Sequence, residues 1–504
     1  MSSGVVLACD IGSTNLRAAL IDDCGGFVAQ AETASPRPVI SNGASEIDPS
    51  GWWAGFIEAA GALQRTDPNA FAHIEAIAIC GVTRTQVFVD SNGRVLRPAI
   101  ALSDVRMQAR IAGLVARLPD HPERAAVNAF HPLARVAWLR DEEPDTFAQL
   151  AAVIEPKDFL NLRLTGRTVS DHVSLARLAA AATPAGDGTS LFTALGHPPS
   201  IVPELCEPAA QIGRVVNGLP TPLDRLAGIP VMCGSNDTWT AVAGLNALRE
   251  NVAYNISGTT EVLGVLSAHA ADAEGLVTVD WRGLHQIGGP SQTGADTVAW
   301  LLELLGQASG GGTDVGARIN ELLLGKRHPQ PLLFLPYLRG ERVPYWDASL
   351  RGAFIGLSRD HTATDLAWAV LEGIGFLNRI VLARAEQASG TTVCEIRLGG
   401  GGAANAAWCQ IKADICERPV IVGRSAEPGL TGAAVIAFTG LGRFASLQQA
   451  QAELAQVARR YEPDPARAKK YRALLALFQQ AETALAPVSH GLVDLANNPD
   501  GAAR

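Results

Sequence analysis

Twice in this chain an apolar strand runs into a turn of glycine and hydroxyl residues and straight out into a second apolar strand, with no room for a helix between. The first case runs from Val5 to Cys9, through Asp10 and the turn of DIGSTNLRAALID, into Arg17 to Ile21. The second is NVAYNISGTTEVLGVL, turning at Ser257-Gly258-Thr259-Thr260. Short apolar runs bounded by such turns read as β-hairpins. One hairpin opens each half, which predicts two similarly built α/β lobes that divide near residues 245 to 252 and face one ligand. The 504 residues are also too many for one ordinary core.

Between the hairpins, IEAIAICGV and QVFVD read as strands, and HPLARVAWLRDE and EPKDFLNLRLTG as helices. The Pro- and Gly-rich stretch from Ala182 to Pro203 reads as loop. In the second half, TGADTVAWLLELLG and TATDLAWAVLEGIGFLNRIVLARA carry apolar residues at i, i+3, i+4 spacing, as amphipathic helices do. A turn at Gly399 to Gly402 joins the strand EIRL to another helix, Leu447 to Ala486 reads as helix, and the last residues read as frayed.

A net charge of −9 and a pI near 5.6 exclude a broad nucleic-acid or anionic-membrane surface, which would need clustered Lys and Arg. The eight cysteines form no CxxC pair and mostly sit in apolar segments, the pattern of a reducing cytosol. MSSGVVLACDIG lacks the basic start and apolar core of a signal peptide, and no apolar run reaches the roughly 18 residues of a membrane span. The expected location is the cytoplasm.

The turns themselves suit an anion. Gly12 and Gly258 let backbone approach it, while Ser13, Thr14, Thr259 and Thr260 add hydroxyl donors. Either hairpin alone is more often just a tight turn; two, with an acid ending the first strand, shift the reading towards phosphate. Asp10 reads as a turn cap or as a ligand for Mg2+, since a carboxylate at the end of a buried strand is costly unless it meets a cation. Asp237, after the strand of IPVMCGSND, reads as a helix N-cap or as a general base at a strand end. Transfer of a γ-phosphoryl group needs phosphate donors, a carboxylate-held metal and a base at the attacking hydroxyl, and the question is whether these residues supply all three. No GxxxxGKS/T is present, so the chain is no P-loop enzyme. A rival reading, a nicotinamide-dependent oxidoreductase, rests on the GxGxxA pattern of EIRLGGGGAANAA, for which no completing βαβ unit is evident.

On these residues the chain resembles the FGGY family of carbohydrate kinases from about residue 5 to residue 440. DIGSTNLRA is similar to the family's phosphate motif, FHPLARVAWLRDE to its first signature, with Arg135 where Lys is usual, and GAFIGLSRDHTATDLAWAVLE to its second. The resemblance implies an actin-like, ribonuclease H-like fold in each lobe, with ATP and Mg2+ in the cleft between them. It implies an N-terminal lobe over 1–248 for sugar binding and the base, a C-terminal nucleotide-binding lobe over 249–446, a helical extension over 447–490 and a disordered tail over 491–504. Asp237 matches the catalytic base, adjoining the metal and, with Asn236, the substrate; Asp10 matches the metal-associated carboxylate. Thr14, Arg17, Gly258 and Thr259 match positions near the β- and γ-phosphates, in the same turns as Gly12, Ser13, Asn15 and Thr260. Gly401 and Asn405 match the adenosine site, and Gly294 in SQTGADTVAW a further nucleotide contact. A homodimer is implied by the resemblance alone.

The acceptor is where the match departs. Xylulose kinases show GQMHG and glycerol kinases a QRE run where this chain has GVTRTQ, so Thr83 and Arg84 stand at the sugar-reading positions with different chemistry; Asp104 matches a substrate-facing acid. Arg84 can bind adjacent hydroxyls, recognise a carboxylate, or pair with a nearby acid. YLRGERVPYWDASLRG mixes features of both subfamilies. The resemblance implies ATP-dependent phosphorylation of a small sugar, a ketopentose such as xylulose, with a polyol such as glycerol or erythritol as the alternative acceptor. A catalytically silent sugar or nucleotide sensor is the alternative from another class.

Overall fold

The computed structural model describes residues 4–307 and 315–497. The chain forms two compact units that are interleaved in sequence: the first takes the chain up to Gly244 and again Pro428–Ala455, the second Leu245–Glu427 and the chain from Gln456 onward. The contiguous lobes expected to meet at 248 and 249 differ from this, because the helix Pro428–Gly440 returns to the first unit. That helix is buried from Gly429 to Phe438. It fits only where side chains are missing: a Cβ on Gly244 would fall 1.9 Å from the Pro428 carbonyl oxygen, and one on Gly432 1.8 Å from that of Thr240.

The first unit is built on a six-stranded sheet ordered Gln211–Arg214, Pro230–Met232, Ile74–Gly81, Val5–Ile11, Asn15–Asp22 and Phe27–Ala34. Val5–Ile11, Ile74–Gly81 and Pro230–Met232 run parallel, so their carboxyl ends share one edge. Alternation sends Val5, Leu7, Cys9 and Ile11 into a core with Trp52, Phe56 and Leu63 of the helix Ser50–Thr66.

The second unit holds a seven-stranded sheet ordered Val277–Asp280, His285–Pro290, Glu261–Ser267, Val252–Ser257, Glu395–Gly399, Val420–Gly423 and Val457–Tyr461. Here Val252–Ser257, Glu395–Gly399 and Val420–Gly423 are parallel. The helix Ala363–Ser389 is long and apolar enough to cross a membrane, which the sequence reading did not anticipate; 78% of its apolar window is buried inside the protein. Its Val370, Ile374 and Leu377 share a core with Phe334 and Trp408.

Several expectations are corrected. Ala182–Pro203 is not all loop: it holds the short helix Leu191–Ala194 and a turn at Pro199–Ile201, because Leu191, Phe192 and Ile201 fill a core with Leu133 and Leu139. Leu447 to Ala486 is not continuous helix: the helix Leu447–Leu454 gives way to a strand, Val457–Tyr461, paired antiparallel with Val420–Gly423, and only then to the helix Pro465–Asn497. Sheet pairing overrides a helix-forming composition there. Residues 491–497, expected in a disordered tail, complete that helix, and 498–504 lie outside the described residues. The GGGG turn does open a βαβ unit, through the helix Ala406–Cys416 into Val420–Gly423. All eight cysteines are free.

Candidate active site

In the first unit the parallel edge brings two acids together. The hairpin puts Asp10 opposite Cys80 of Ile74–Gly81, and Gly81 bridges on to Asn236 on the far side of that strand. Burial and the charges of Asp10 and then Asp237 push the Cys80 thiol well up, so both carboxylates act on one side chain. Asp10 lies at the start of the 13-residue helix Pro428–Gly440: a Cβ on Gly429 would fall 2.4 Å from its Oδ2. A helix N-terminus favours negative charge, which offsets part of the cost of the acid's half-buried position.

Asp237 opens the helix Asp237–Gly244 but does not cap it. Asn236 does, its Oδ1 accepting from the Trp239 N–H at 2.9 Å. Asp237 Oδ1 accepts from the N–H and the hydroxyl of Thr238, at 2.6 and 3.2 Å, while no described residue hydrogen-bonds to Oδ2. Desolvation raises the carboxyl above its ordinary range, against the Thr238 hydrogen bonds. An acid so placed is a stronger proton acceptor than an exposed one.

Three positions expected at the acceptor differ in what they touch. Thr83 Oγ1 donates to Glu155 Oε1 at 2.9 Å. Arg84 is exposed and its guanidinium has no acid within ion-pair distance among the described residues, which removes the structural pairing considered for it. Asp104 is buried and already engaged: its Oδ2 accepts from the Ser45 N–H at 2.9 Å, and Arg106 pairs with it at 2.7 Å. Burial raises its carboxyl but the Arg106 and Ser45 hydrogen bonds outweigh that, holding it below the ordinary range.

At the first turn, Ser13 and Thr14 are exposed, the Gly12 N–H donates to the Asn15 carbonyl at 2.9 Å, and Ser35 Oγ donates to the Gly12 carbonyl at 2.7 Å. Asn15 and Arg17 both turn to Glu32, at 2.6 and 2.7 Å. The only group of three metal-ligating side chains found among the described residues, Asp22, Asp23 and Cys24, lies at the other end of this hairpin.

In the second unit, the ends of Val252–Ser257 and Glu395–Gly399 set the second hairpin beside the GGGG turn. A Cβ on Gly400 or Gly402 would fall 2.5 Å from the Ser257 carbonyl oxygen and 2.1 Å from its Oγ. Gly294 packs against the hairpin, where a Cβ would meet Thr260 Cα at 2.5 Å, and the Ala295 and Asp296 N–H groups donate to the Gly258 and Thr259 carbonyls at 3.0 and 3.2 Å. Thr259 and Gly401 are exposed. Asn405 caps Ala406–Cys416 through Oδ1, and its buried Nδ2 has no hydrogen-bond partner.

Three supports escaped the sequence reading, and a fourth, Arg135, stood there only as a departure from the signature Lys. Glu261, one residue past the second turn, is buried against Lys412 at 2.6 Å and accepts from Ser257 and Asn255 as well. Glu341, in the GER of YLRGERVPYW, takes the Gln292 N–H and the Thr293 hydroxyl, bracing the loop that carries Gly294. Lys157 and Asn161 hold the strand end that leads to Asp237. Arg135 inserts its guanidinium among the carbonyls of Arg84, Ala101 and Leu102 and the side chain of Gln86. An arginine's five-donor fork can serve four acceptors where a lysine cannot. Burial lowers its pKa to about 10. Glu261 and Lys157 show locally only as charges beside apolar residues, and Asn161 and Glu341 give no local signal.

Acids at parallel strand ends in the first unit, and a glycine-threonine cradle in the second, are the kinds of group that phosphoryl transfer to an alcohol calls on. The chain belongs to the FGGY family of carbohydrate kinases: its N-terminal domain matches residues 5–244 and its C-terminal domain residues 253–441. Membership implies ATP as phosphate donor. The chain is 27% identical to a xylulose kinase of Lactococcus lactis, over 97% of this chain and 98% of the relative. It is 25% identical to a gluconokinase of Bacillus subtilis, over 94% of each. A solved xylulose kinase from Rhodospirillum rubrum superposes with a TM-score of 0.82 at 26% identity, over 96% of this chain and all of that one.

Proposed function

We propose that this chain is a cytoplasmic kinase that uses ATP to phosphorylate a hydroxyl of a ketopentose such as xylulose, with Asp237 as the base. What carries the reading is the pairing of Asp237 and Asp10 on either side of Ile74–Gly81, with a proton-accepting oxygen of Asp237 left unengaged. Thr83, Arg84 and Asn236 lie at the ends of the same two strands and serve as acceptor contacts; Asp104, tied to Arg106, acts on the acceptor through the loop it anchors. Xylulose is favoured by the names of similar proteins, the L. lactis relative among them.

Mg2+ needs only one or two carboxylates when substrate phosphates complete its shell, and Asp10 with Asp237 fits that requirement better than the Asp22-Asp23-Cys24 turn, whose thiol is a soft ligand. Bound there, the ion would neutralise charge on the transferring phosphoryl group. In the first unit Ser13 and Thr14 offer donors to phosphate oxygens; in the second Thr259 and Thr260 do so, Gly258 lets the backbone of that turn approach, and Gly294, Gly401 and Asn405 line the nucleoside side. Gly12, Asn15 and Arg17 shape the first turn. As the hydroxyl oxygen bonds to the γ-phosphorus in line, the bond from that phosphorus to the bridging oxygen breaks, ADP leaves, and the hydroxyl proton passes to Asp237.

A second reading, an acceptor bearing a carboxylate, is favoured by one observation: Arg84 is exposed without an acid partner. An ADP-release assay with D-xylulose, D-gluconate and glycerol, with and without Mg2+, tests both. ADP formation dependent on xylulose and Mg2+ is the expected result; a preference for gluconate would install the second reading, and no acceptor-dependent ADP would defeat both.

A further inference from the structure

The first turn of the helix Pro156–Thr165 reaches two loops at once. Lys157, Asp158 and Asp171 are at most 1% exposed. Lys157 Nζ contacts Asp158 and meets Asp171 at 2.9 Å, and Asp171 Oδ1 accepts from Ser235 Oγ at 2.8 Å. Asn161 Nδ2 donates to the Cys233 carbonyl at 2.8 Å. These bonds hold Cys233 and Ser235, which lead directly to Asn236 and Asp237.

Glu155 caps the same turn, its N–H donating to Asp158 Oδ2 at 3.0 Å. Its side chain, 2% exposed, points to the other loop: Oε1 accepts from Thr83 Oγ1 at 2.9 Å and from the Arg84 N–H at 2.8 Å. Arg135 takes the Arg84 carbonyl. The Arg84 peptide is thus gripped from both sides while its φ stands at +57°, a region that side-chain-bearing residues rarely adopt. Such a conformation persists only where the surroundings over-determine it, and it gathers at ligand sites. A buried carboxyl is likewise costly unless its hydrogen-bond partners offset that, and besides its place at the head of Pro156–Thr165 this one commits its Oε1 to the Thr83–Arg84 loop.

We propose that Glu155 is a positioning residue for acceptor selection. It ties Thr83 and Arg84 to the helix turn that also ties down the base-bearing loop, so the side chains that read the acceptor and the carboxylate that deprotonates it keep a set spacing. The inference rests on the reading above that Thr83 and Arg84 face the acceptor.

The test uses the full chain and whichever of D-xylulose, D-gluconate and glycerol it phosphorylates fastest. Glu155→Leu removes both bonds and raises acceptor KM about tenfold, the loss expected when two buried hydrogen bonds that hold the loop are removed. It also flattens the rate ratios among the three compounds and leaves ATP KM unchanged. Glu155→Gln, which keeps the accepting oxygen and the shape, restores most of the acceptor KM, and Thr83→Val adds little on top of Glu155→Leu. If Glu155→Leu melts out, Glu155→Gln carries the test with an intermediate rise in acceptor KM. Unchanged acceptor KM in the Glu155 variants, alongside a clear rise in Arg84→Ala, overturns the clamp and spares the loop assignment. No rise in Arg84→Ala either overturns both, and an equal rise in ATP KM overturns the clamp by marking general damage.

Discussion

The two hairpins share one pattern, an apolar strand that turns at Gly, Ser and Thr into another, yet acid is used in opposite ways around them. In the first, the acid precedes the turn: Asp10 stands at a strand end against a helix N-terminus, beside the exposed Ser13 and Thr14. In the second, the acid follows the turn: Glu261 is buried, paired with Lys412, and its neighbours Ser257 and Asn255 complete its bonds. The carbonyls of Gly258 and Thr259 are also taken, by the helix that starts at Ala295. One hairpin keeps charge at the edge where chemistry is proposed; the other uses charge to fix a neutral cradle. Similar strings therefore divide reactivity from rigidity.

The sharpest way to break this contrast is at the base. Asp237→Ala should lower kcat by about 10²–10⁴ with ADP affinity unchanged by calorimetry; a comparable loss of ADP binding would show that the first unit's acids also hold nucleotide. Next comes the buried pair: Lys412→Met leaves Glu261 uncompensated and should cost roughly 3–5 kcal/mol of stability, read as a fall in denaturation midpoint. Asp10→Asn should leave that midpoint in place or raise it while shifting the Mg2+ dependence of turnover, and an equal fall would erase the distinction. Gly429→Ala forces a methyl against Asp10 and should cost roughly 1–3 kcal/mol, with kcat falling alongside. The smallest effect is Thr259→Val, about 1 kcal/mol or a several-fold weaker ADP affinity.

Acidity gives two further checks with opposite readouts. Because desolvation raises the Asp237 carboxyl and a base acts only when ionised, kcat should rise with pH through a value above the ordinary carboxylate range. Burial, with Asp158 next, pushes Glu155 from 4.5 to about 8. The folded chain then binds the extra proton between those values, so its contribution to stability falls as pH rises across that window, and Glu155→Gln should flatten the dependence in denaturant melts.

What was legible in the sequence was whatever is written locally. Both hairpins announce themselves by apolar runs broken at Gly and Thr, and Asp237 by its place between a strand and a small-residue helix. Asn236 as the cap in place of Asp237 was a one-residue matter that only backbone geometry decides. Glu155, Lys157 and Lys412 were read only as parts of helices, because their partners lie at Thr83, Asp171 and Glu261, which no local pattern links. Gly429 lay in an apolar helix with no sign that its missing side chain makes room for Asp10. The strand Val457–Tyr461 was hidden for the same reason: its sole sheet neighbour, Val420–Gly423, stands two helices away.

The return of Pro428–Gly440 to the first unit has a consequence for how the molecule can be divided. The polypeptide passes between the units three times, after Gly244, after Glu427 and after Ala455. A fragment ending at Gly244 would bare the Thr240 side of its last helix and strip the backing from Asp10, so neither half should survive being cut out as a single stretch. Joining Ala455 back to the amino terminus through a linker, and releasing the middle, is the excision that would keep every glycine contact of the first unit intact.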